Sequence, residues 1–507
     1  MKEWGKKIAH FVEANRFLLR PFLVMLAMYL VGASAIILAG VHYADDIART
    51  SFGYAGWTGF SRYFSTIAAF GLHADGYLTN IYPLPQLLAI VLLAVASIML
   101  ICIVSGKRIF KEKPTKWIWH LIAVLPLGLS PYMLECLAYQ YDAPYMAVSV
   151  LAAVMPLLFR DYKKWIYGLA IFIGVIIVCT SYQAAVGILP MLVVMVAVKK
   201  WNEGAGGEKW KGLKYVAFSA VIFVVSVLFF QLVLMKPRDA YASNSLPELQ
   251  SIIPVFFEHL GLYFNLVFND MKIWWLVIMG IIGLGFLVLF VMRSKKNKVL
   301  ASVVAVLTLV FVFVMAFAFY AVLEKPLYAT RAMYPFGAAL AIIGVYVVDG
   351  KELLAKGMRA PVMVLSWCFL VFALTFGNVL KEQNEYRSTM SSMVVSELNR
   401  LPIMQDGIAK HIQVSGNLGY APSVRNIPQN YKIIERLLMP SFSEYVPWTN
   451  YRVAEISGLP NLIFDETIDL KEKGLPLLKE TVFFDIFGDK ENILVVFKDT
   501  RKFNVVF

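Results

Sequence analysis

The chain has 507 residues, 59% of them hydrophobic and only 16% charged, and a formal net charge of +13. Soluble globular proteins of this length do not have that composition. The apolar residues come in long blocks separated by short basic clusters, the pattern of a polytopic α-helical membrane protein. Four cysteines (Cys102, Cys136, Cys179 and Cys368) lie in or at the ends of apolar blocks without paired spacing, and six histidines are scattered. No metal-ligand set is expected from them.

The amino-terminal MKEWGKKIAHFVEANRFLLRPF is basic. No small-residue cleavage site follows the first apolar block, so that block reads as a retained helix rather than a signal peptide. About eleven transmembrane helices are expected, at roughly 22–41, 84–105, 117–134, 143–159, 165–180, 184–198, 214–235, 273–292, 299–323, 332–349 and 361–379. Some fall short of the ~20 residues that a perpendicular helix needs, and these are expected to be tilted, broken or partly re-entrant. Lys and Arg alternate between the connections. The N-terminus together with GKRIFKEKPTK, RDYKK, KKWNEGAGGEKWKGLK, RSKKNK and KELLAKGMR holds 25 of them, against seven in the opposite set. The positive-inside rule then puts the N-terminus in the cytoplasm. The excess charge is a topology signal, and nucleic acid is not expected as a partner.

The first outer connection opens with YADDIARTSFGYAGWTGFSR, residues 43–62. Asp45 and Asp46 are adjacent carboxylates, Arg49 follows one helical turn on, and Arg62 ends the stretch. Acid chemistry at the edge of the first helix points to a reaction at headgroup depth on a lipid-linked group. The plainer reading is a solvated loop in which Arg49 pairs with Asp45 or Asp46 at helical spacing. Further on, STIAAFGL is expected to lie in the membrane interface, followed by His73 and Asp75.

The second outer connection, SPYMLECLAYQYDAPYM, spaces Glu135, Tyr139 and Asp142 at i, i+4 and i+7, which would put them on one helix face. Tyr132, Gln140, Tyr141 and Tyr145 surround them. Carboxylates, an amide, hydroxyls and rings suit a sugar, whose hydroxyls take the polar groups while its C–H face takes the rings. An interfacial aromatic belt accounts for the tyrosines but not for Glu135 and Asp142. The third connection, CTSYQAAVGILP, holds Tyr182 and Gln183 between two apolar helices, either for substrate or for a bond between helices. The fourth, KPRDAYASNSLPELQSIIPVFFEHLGLYFNLVFNDMK, contains an apolar portion expected to rest on the membrane surface. The fifth, LEKPLYATRAMYPFG, sets Lys325 and Arg331 beside helix ends. Outward cations are the exception in a positive-inside protein, and holding a lipid phosphate is a good reason for them. Capping of the preceding helix is the plain reading for Lys325.

Residues 380–507 are different in kind, with 15 Lys and Arg against 16 Asp and Glu. Helix-like stretches (EYRSTMSSMVVSELNRL, NYKIIERLLM) mix with strand-like ones (HIQVSG, ETVFFDIF, NILVVFKD). The division expected is a transmembrane domain over 1–379 and a small extracytoplasmic α/β domain over 380–507.

The chain resembles the serotype-converting O-antigen glucosyltransferases, the type II bacterial membrane glucosyl transferases. The resemblance rests on DDIARTSFGYAGWTGFSR, SPYMLECLAYQYDAPYMAVSVLAA, TSYQAAVGILP and the order of helices followed by a C-terminal outer segment. It implies a glycosyltransferase of the C-type membrane fold in a bacterial cytoplasmic membrane. Such an enzyme takes a sugar, here glucose or another hexose, from a polyprenyl phosphate on the outer face. The acceptor is a cell-envelope polysaccharide such as O-antigen, and the anomeric centre is generally inverted. The essential Asp of the family's first outer loop matches Asp45 or Asp46. Neither a cofactor nor a metal is expected. Arg49, Arg62, Glu135, Tyr139, Asp142, Tyr182 and Gln183 are the expected substrate contacts, and Lys325 and Arg331 the expected lipid-phosphate ligands. Two other readings stand beside this one: a transporter or flippase of a lipid-linked saccharide, and a polysaccharide polymerase or ligase.

Overall fold

The computed structural model describes residues 13, 15–204, 209–236, 245–439, 442, 462–463 and 469–498. Helix α1 (Leu19–Ala39) is a single apolar run that stops at Gly40, whose left-handed backbone (φ 57°) suits glycine. Two short helices follow on the first connection, α2 (Asp45–Phe52) and α3 (Tyr63–His73). Helix α3 buries Ser65, Ala69 and His73 and exposes Ile67 and Phe70.

After α4 (Leu84–Val104), prolines set the course of the chain. Pro114 opens α5 (Pro114–Val124), Pro126 opens a single turn and Pro131 opens α6 (Pro131–Ala138). A proline lacks the N–H a helix interior needs and pushes the preceding residue out of helical geometry, as at Ser130 (ψ 146°). The expected third span is therefore two helices bent by 58°. Pro144 sits in the first turn of α7 (Ala143–Val154). Next come α8 (Lys164–Ser181), α9 (Ile188–Glu203), α10 (Lys209–Phe229), α11 (Ile252–Asp270), α12 (Ile273–Met292), α13 (Lys298–Met315) and α14 (Pro335–Val348).

Among the described residues nine helices are long and apolar enough to cross a membrane, ten if the bent pair counts as one span. The expected eleven is not reproduced as a count. Ala143–Phe159 and Pro335–Val348 are apolar helices of only 10–17 residues. Every residue of α14 is buried, so other helices rather than lipid surround it and its length is freed from the bilayer thickness. Conversely α11 has the length of a span. Its contacts keep it at one end of the bundle, however: His259 meets the Ala321 carbonyl, Tyr263 donates to Leu327 O at 2.8 Å, and its last residue, Asp270, accepts from Tyr132 at 2.9 Å.

The longest helix, α15 (Arg359–Asn399), has 41 residues and runs without a break past residue 379, the expected domain boundary. Its first half packs along α1. Gly377 allows this, because a Cβ there would lie 2.3 Å from the Ala35 carbonyl carbon. Its far half supplies Met390, Val394 and Leu398 to a second, smaller core. That core is completed by a five-stranded sheet of β1 (Lys410–Gly416), β2 (Leu462–Ile463), β3 (Leu477–Glu480), β4 (Phe484–Gly488) and β5 (Asn492–Phe497). The order is β2-β1-β5-β4-β3, with β1 parallel to both neighbours and β4 antiparallel to both of its own. The three strand-like stretches of the sequence form β1, β4 and β5. The expected helix NYKIIERLLM reduces to one turn, α16 (Ile434–Leu437).

Candidate active site

Between α1 and α2 the chain turns sharply at Ala44, which takes φ 48°, an uncommon backbone for a residue with a side chain. The turn places Asp45 and Asp46 at the N-terminus of α2, where the helix dipole favours negative charge. The two carboxylates face opposite environments. Asp46 is fully buried and accepts three backbone N–H groups: Tyr43 at 3.0 Å, Gln140 at 2.7 Å and Tyr141 at 3.2 Å. It thereby staples the first connection to the α6–α7 connection. Burial pushes its carboxyl well above the usual range, with the amide donors pulling back, and both of its oxygens are engaged by backbone N–H groups. Asp45 is 45% exposed, and its closest cation, Arg49 Nη2, is 3.9 Å away.

Arg49 is not chiefly paired with its helix neighbours. Its Nε donates to Asp142 Oδ2 at 3.0 Å and its Nη2 to Asp142 Oδ1 at 3.3 Å, while Nη1 reaches the Ala55 carbonyl. Its guanidinium lies 4.2 Å from the Trp57 ring, and Trp57 Nε1 also donates to Asp142. Arg49, Trp57 and Asp142 are all buried, so this is a closed knot that holds the loop down rather than a surface offered to a sugar.

The expected shared face of Glu135, Tyr139 and Asp142 does not form. Helix α6 ends at Ala138, Tyr139 is extended (ψ 118°), and Asp142 caps α7. The physical reason is Pro144, which α7 tolerates only in its first turn. Glu135 instead points at the short 3-10 turn Thr330–Ala332. It accepts from the Thr330 hydroxyl, from the Arg331 amide and from Arg331 Nη1 at 3.1 Å. Arg331 is 23% exposed and lies 5.9 Å from the Tyr139 ring. Lys325 is exposed on the stretch leading to that turn.

Arg62 joins the same region from the first connection. Its guanidinium sits 4.4 Å from the Tyr182 ring and its Nε donates to Gln183 Oε1 at 3.4 Å. Gln183 in turn donates to the Phe60 carbonyl. Among the described residues no carboxylate pairs with Arg62. The charges of Arg331 and Arg62 both act on Tyr182, and those of Arg331 and Asp45 both act on Tyr139. Two guanidiniums thus stand beside the buried rings of Tyr139 and Tyr182, and the charge of Asp45 reaches Tyr139. The Tyr182 hydroxyl, Gln140 Oε1 and the Tyr145 hydroxyl are buried without a hydrogen-bond partner among the described residues. His73 stacks on Tyr141 (5.8 Å), whereas Asp75 is exposed and turns back on its own loop. Among the described residues no group of three His, Cys, Asp or Glu side chains is placed to hold a metal ion.

Asp270 and Arg436 also belong to this region, and nothing in the sequence singles them out. Arg436, on α16 of the tail, pairs with Asp270 at the end of α11. An arginine in a mixed polar stretch carries no signal of a partner 166 residues away.

The family model described as Glucosyl transferase GtrII matches residues 34–343. An uncharacterized 55.3 kDa protein in the gtrB 5′ region of Salmonella phage P22 is 28% identical over 143 residues, a stretch that is 28% of each chain. No solved structure matches. The family match spans more than half of the sequence, including α2, the Glu135–Arg331 pair and the Arg62–Gln183 contact: this chain belongs to the GtrII glucosyl transferase family.

Proposed function

We propose that the protein transfers a hexose, glucose by the family's description, from a polyprenyl phosphate to a cell-envelope polysaccharide such as O-antigen, at the outer face of a bacterial cytoplasmic membrane. The observation that carries this reading is the pair of guanidiniums over buried rings, Arg62 at 4.4 Å from Tyr182 and Arg331 at 5.9 Å from Tyr139, with the half-exposed Asp45 on the same connection as Arg62. The acceptor hydroxyl attacks the anomeric carbon and its proton passes to Asp45. The bond from that carbon to the phosphate oxygen breaks with the electron pair going to phosphate, and Arg331 and Arg62 stabilise the phosphomonoester as it forms. Attack opposite the leaving phosphate inverts the anomeric centre. Tyr139, Tyr182 and Gln183 take the sugar, whose hydroxyls would supply the missing partners of Tyr182 and Gln140. Asp46, Arg49, Asp142 and Glu135 hold this frame. Lys325 stands on the approach, at headgroup depth.

A transporter fits less well. The bundle is filled by α14, whose fourteen residues are buried and mostly aliphatic, where a translocated saccharide would need a polar path. The test is transfer by the purified protein with a polyprenyl-phosphate glucose donor. Arg331→Ala is expected to lower kcat/KM for the donor by roughly 10–100-fold, the worth of a charge-assisted hydrogen bond. Absence of transfer from any polyprenyl-phosphate hexose would refute the reading.

Topology gives a second check. Lys113 lies in a basic connection and Lys479 on β3, with both exposed. Cysteines placed there are expected to label from opposite sides of the membrane, Lys479→Cys from outside. Labelling from one side would place the tail in the cytoplasm.

A further inference from the structure

The tail beyond residue 343 lies outside the family match, yet it supplies a wall of the site. Ile433, Ile434 and Leu437 are fully buried in the main core, and the Leu437 carbonyl accepts from Tyr43, two residues before Asp45, at 2.6 Å. From the same turn Arg436 reaches the other way. Its Nη1 pairs with Asp270, while its Nη2 donates to the Tyr328 carbonyl at 2.5 Å and lies 3.6 Å from Met333 Sδ. Tyr328 and Met333 bracket the turn Thr330–Ala332 that carries Arg331.

Asp270 is only 5% exposed and also accepts from Tyr132, which precedes Glu135 by three residues on α6. Residues three apart share a helix face. That face of α6 therefore holds the Arg331 turn twice, directly through Glu135 and indirectly through Asp270 and Arg436. The planar guanidinium suits this role because it can satisfy two acceptors at once in a fixed geometry.

We propose that Arg436 is a positioning residue for Arg331: it fixes the turn from which Arg331 meets the donor phosphate, so the tail completes the donor site. This rests on the phosphate role of Arg331. Small misplacements of a positioned group cost on the order of 10²-fold in rate. Arg436→Ala is expected to lower donor kcat/KM by roughly 10–100-fold with the acceptor KM unchanged. The double variant with Arg331→Ala should be no worse than Arg331→Ala alone.

Arg436→Lys keeps a cation for Asp270 but cannot hold the Tyr328 carbonyl at the same time. It should unfold at the temperature of the parent protein and still show the donor defect, coupled to Arg331 in the same way. It carries the test if the alanine variant does not fold. A normal donor kcat/KM in Arg436→Lys, or losses that simply add to that of Arg331→Ala, would overturn the inference and leave the proposed function standing. A normal donor kcat/KM in Arg331→Ala itself would instead refute the phosphate role on which the inference rests.

Discussion

Asp45→Asn is expected to lower sugar transfer per folded molecule by roughly 10²–10⁴-fold, the usual share of a general base, while membrane insertion, thermal unfolding and donor binding stay near those of the parent protein. An amide keeps the size of the carboxylate but cannot take a proton. Stability should hardly change, because Asp45 is 45% exposed and its ion pair to Arg49, at 3.9 Å, is long. Exposed pairs of that kind contribute about 0–1 kcal/mol. The measurement is turnover with a polyprenyl-phosphate sugar, normalised to folded protein in detergent. Full turnover in Asp45→Asn would end the assignment of the base to this loop.

Asp46→Ala is expected to fail in the other way, by loss of folded protein. Three backbone N–H groups, of Tyr43, Gln140 and Tyr141, would be left without their acceptor in a site closed to water. Each such group costs about 1–3 kcal/mol, so the sum is on the order of several kcal/mol against a total stability of about 5–15. Folded yield and thermal unfolding are the readouts. Asp46→Asn should fall between the two, since one of its atoms becomes a donor facing donors. If Asp46→Ala folded normally but made no product, the two carboxylates would have to exchange roles. Taken together the variants separate chemistry from scaffold. Two adjacent residues of one type are expected to give opposite phenotypes, one losing turnover and the other losing the fold.

The sequence by itself determined that the chain is a membrane protein and where most of its helices lie. A bilayer demands long apolar runs, and those are written locally. It also determined that the acids and aromatics of the first three connections at one end of the bundle are worth inspecting, and the motifs there pointed to the family. The strands β1, β4 and β5 were legible for a similar reason, since a short apolar run of β-branched and aromatic residues is a local signal. Helix α14 (Pro335–Val348) lies within the expected span 332–349 and is short for a bilayer, because the rule that fixes span length applies to helices facing lipid and this one is wrapped by others.

What only the tertiary structure decided is which charges meet. Spacing favoured Arg49 with Asp45 or Asp46, yet its main partner is Asp142, 93 residues away. Glu135 meets Arg331 across 196 residues and Asp270 meets Arg436 across 166. Asp45 and Asp46 are equivalent as letters. They differ only because the turn at Ala44 and the turn that follows the extended Tyr139 bring three amides onto one carboxylate and none of these onto the other. Helical periodicity reaches four residues along the chain, whereas a buried charge must find its partner wherever packing delivers one, and that choice belongs to the assembled helices.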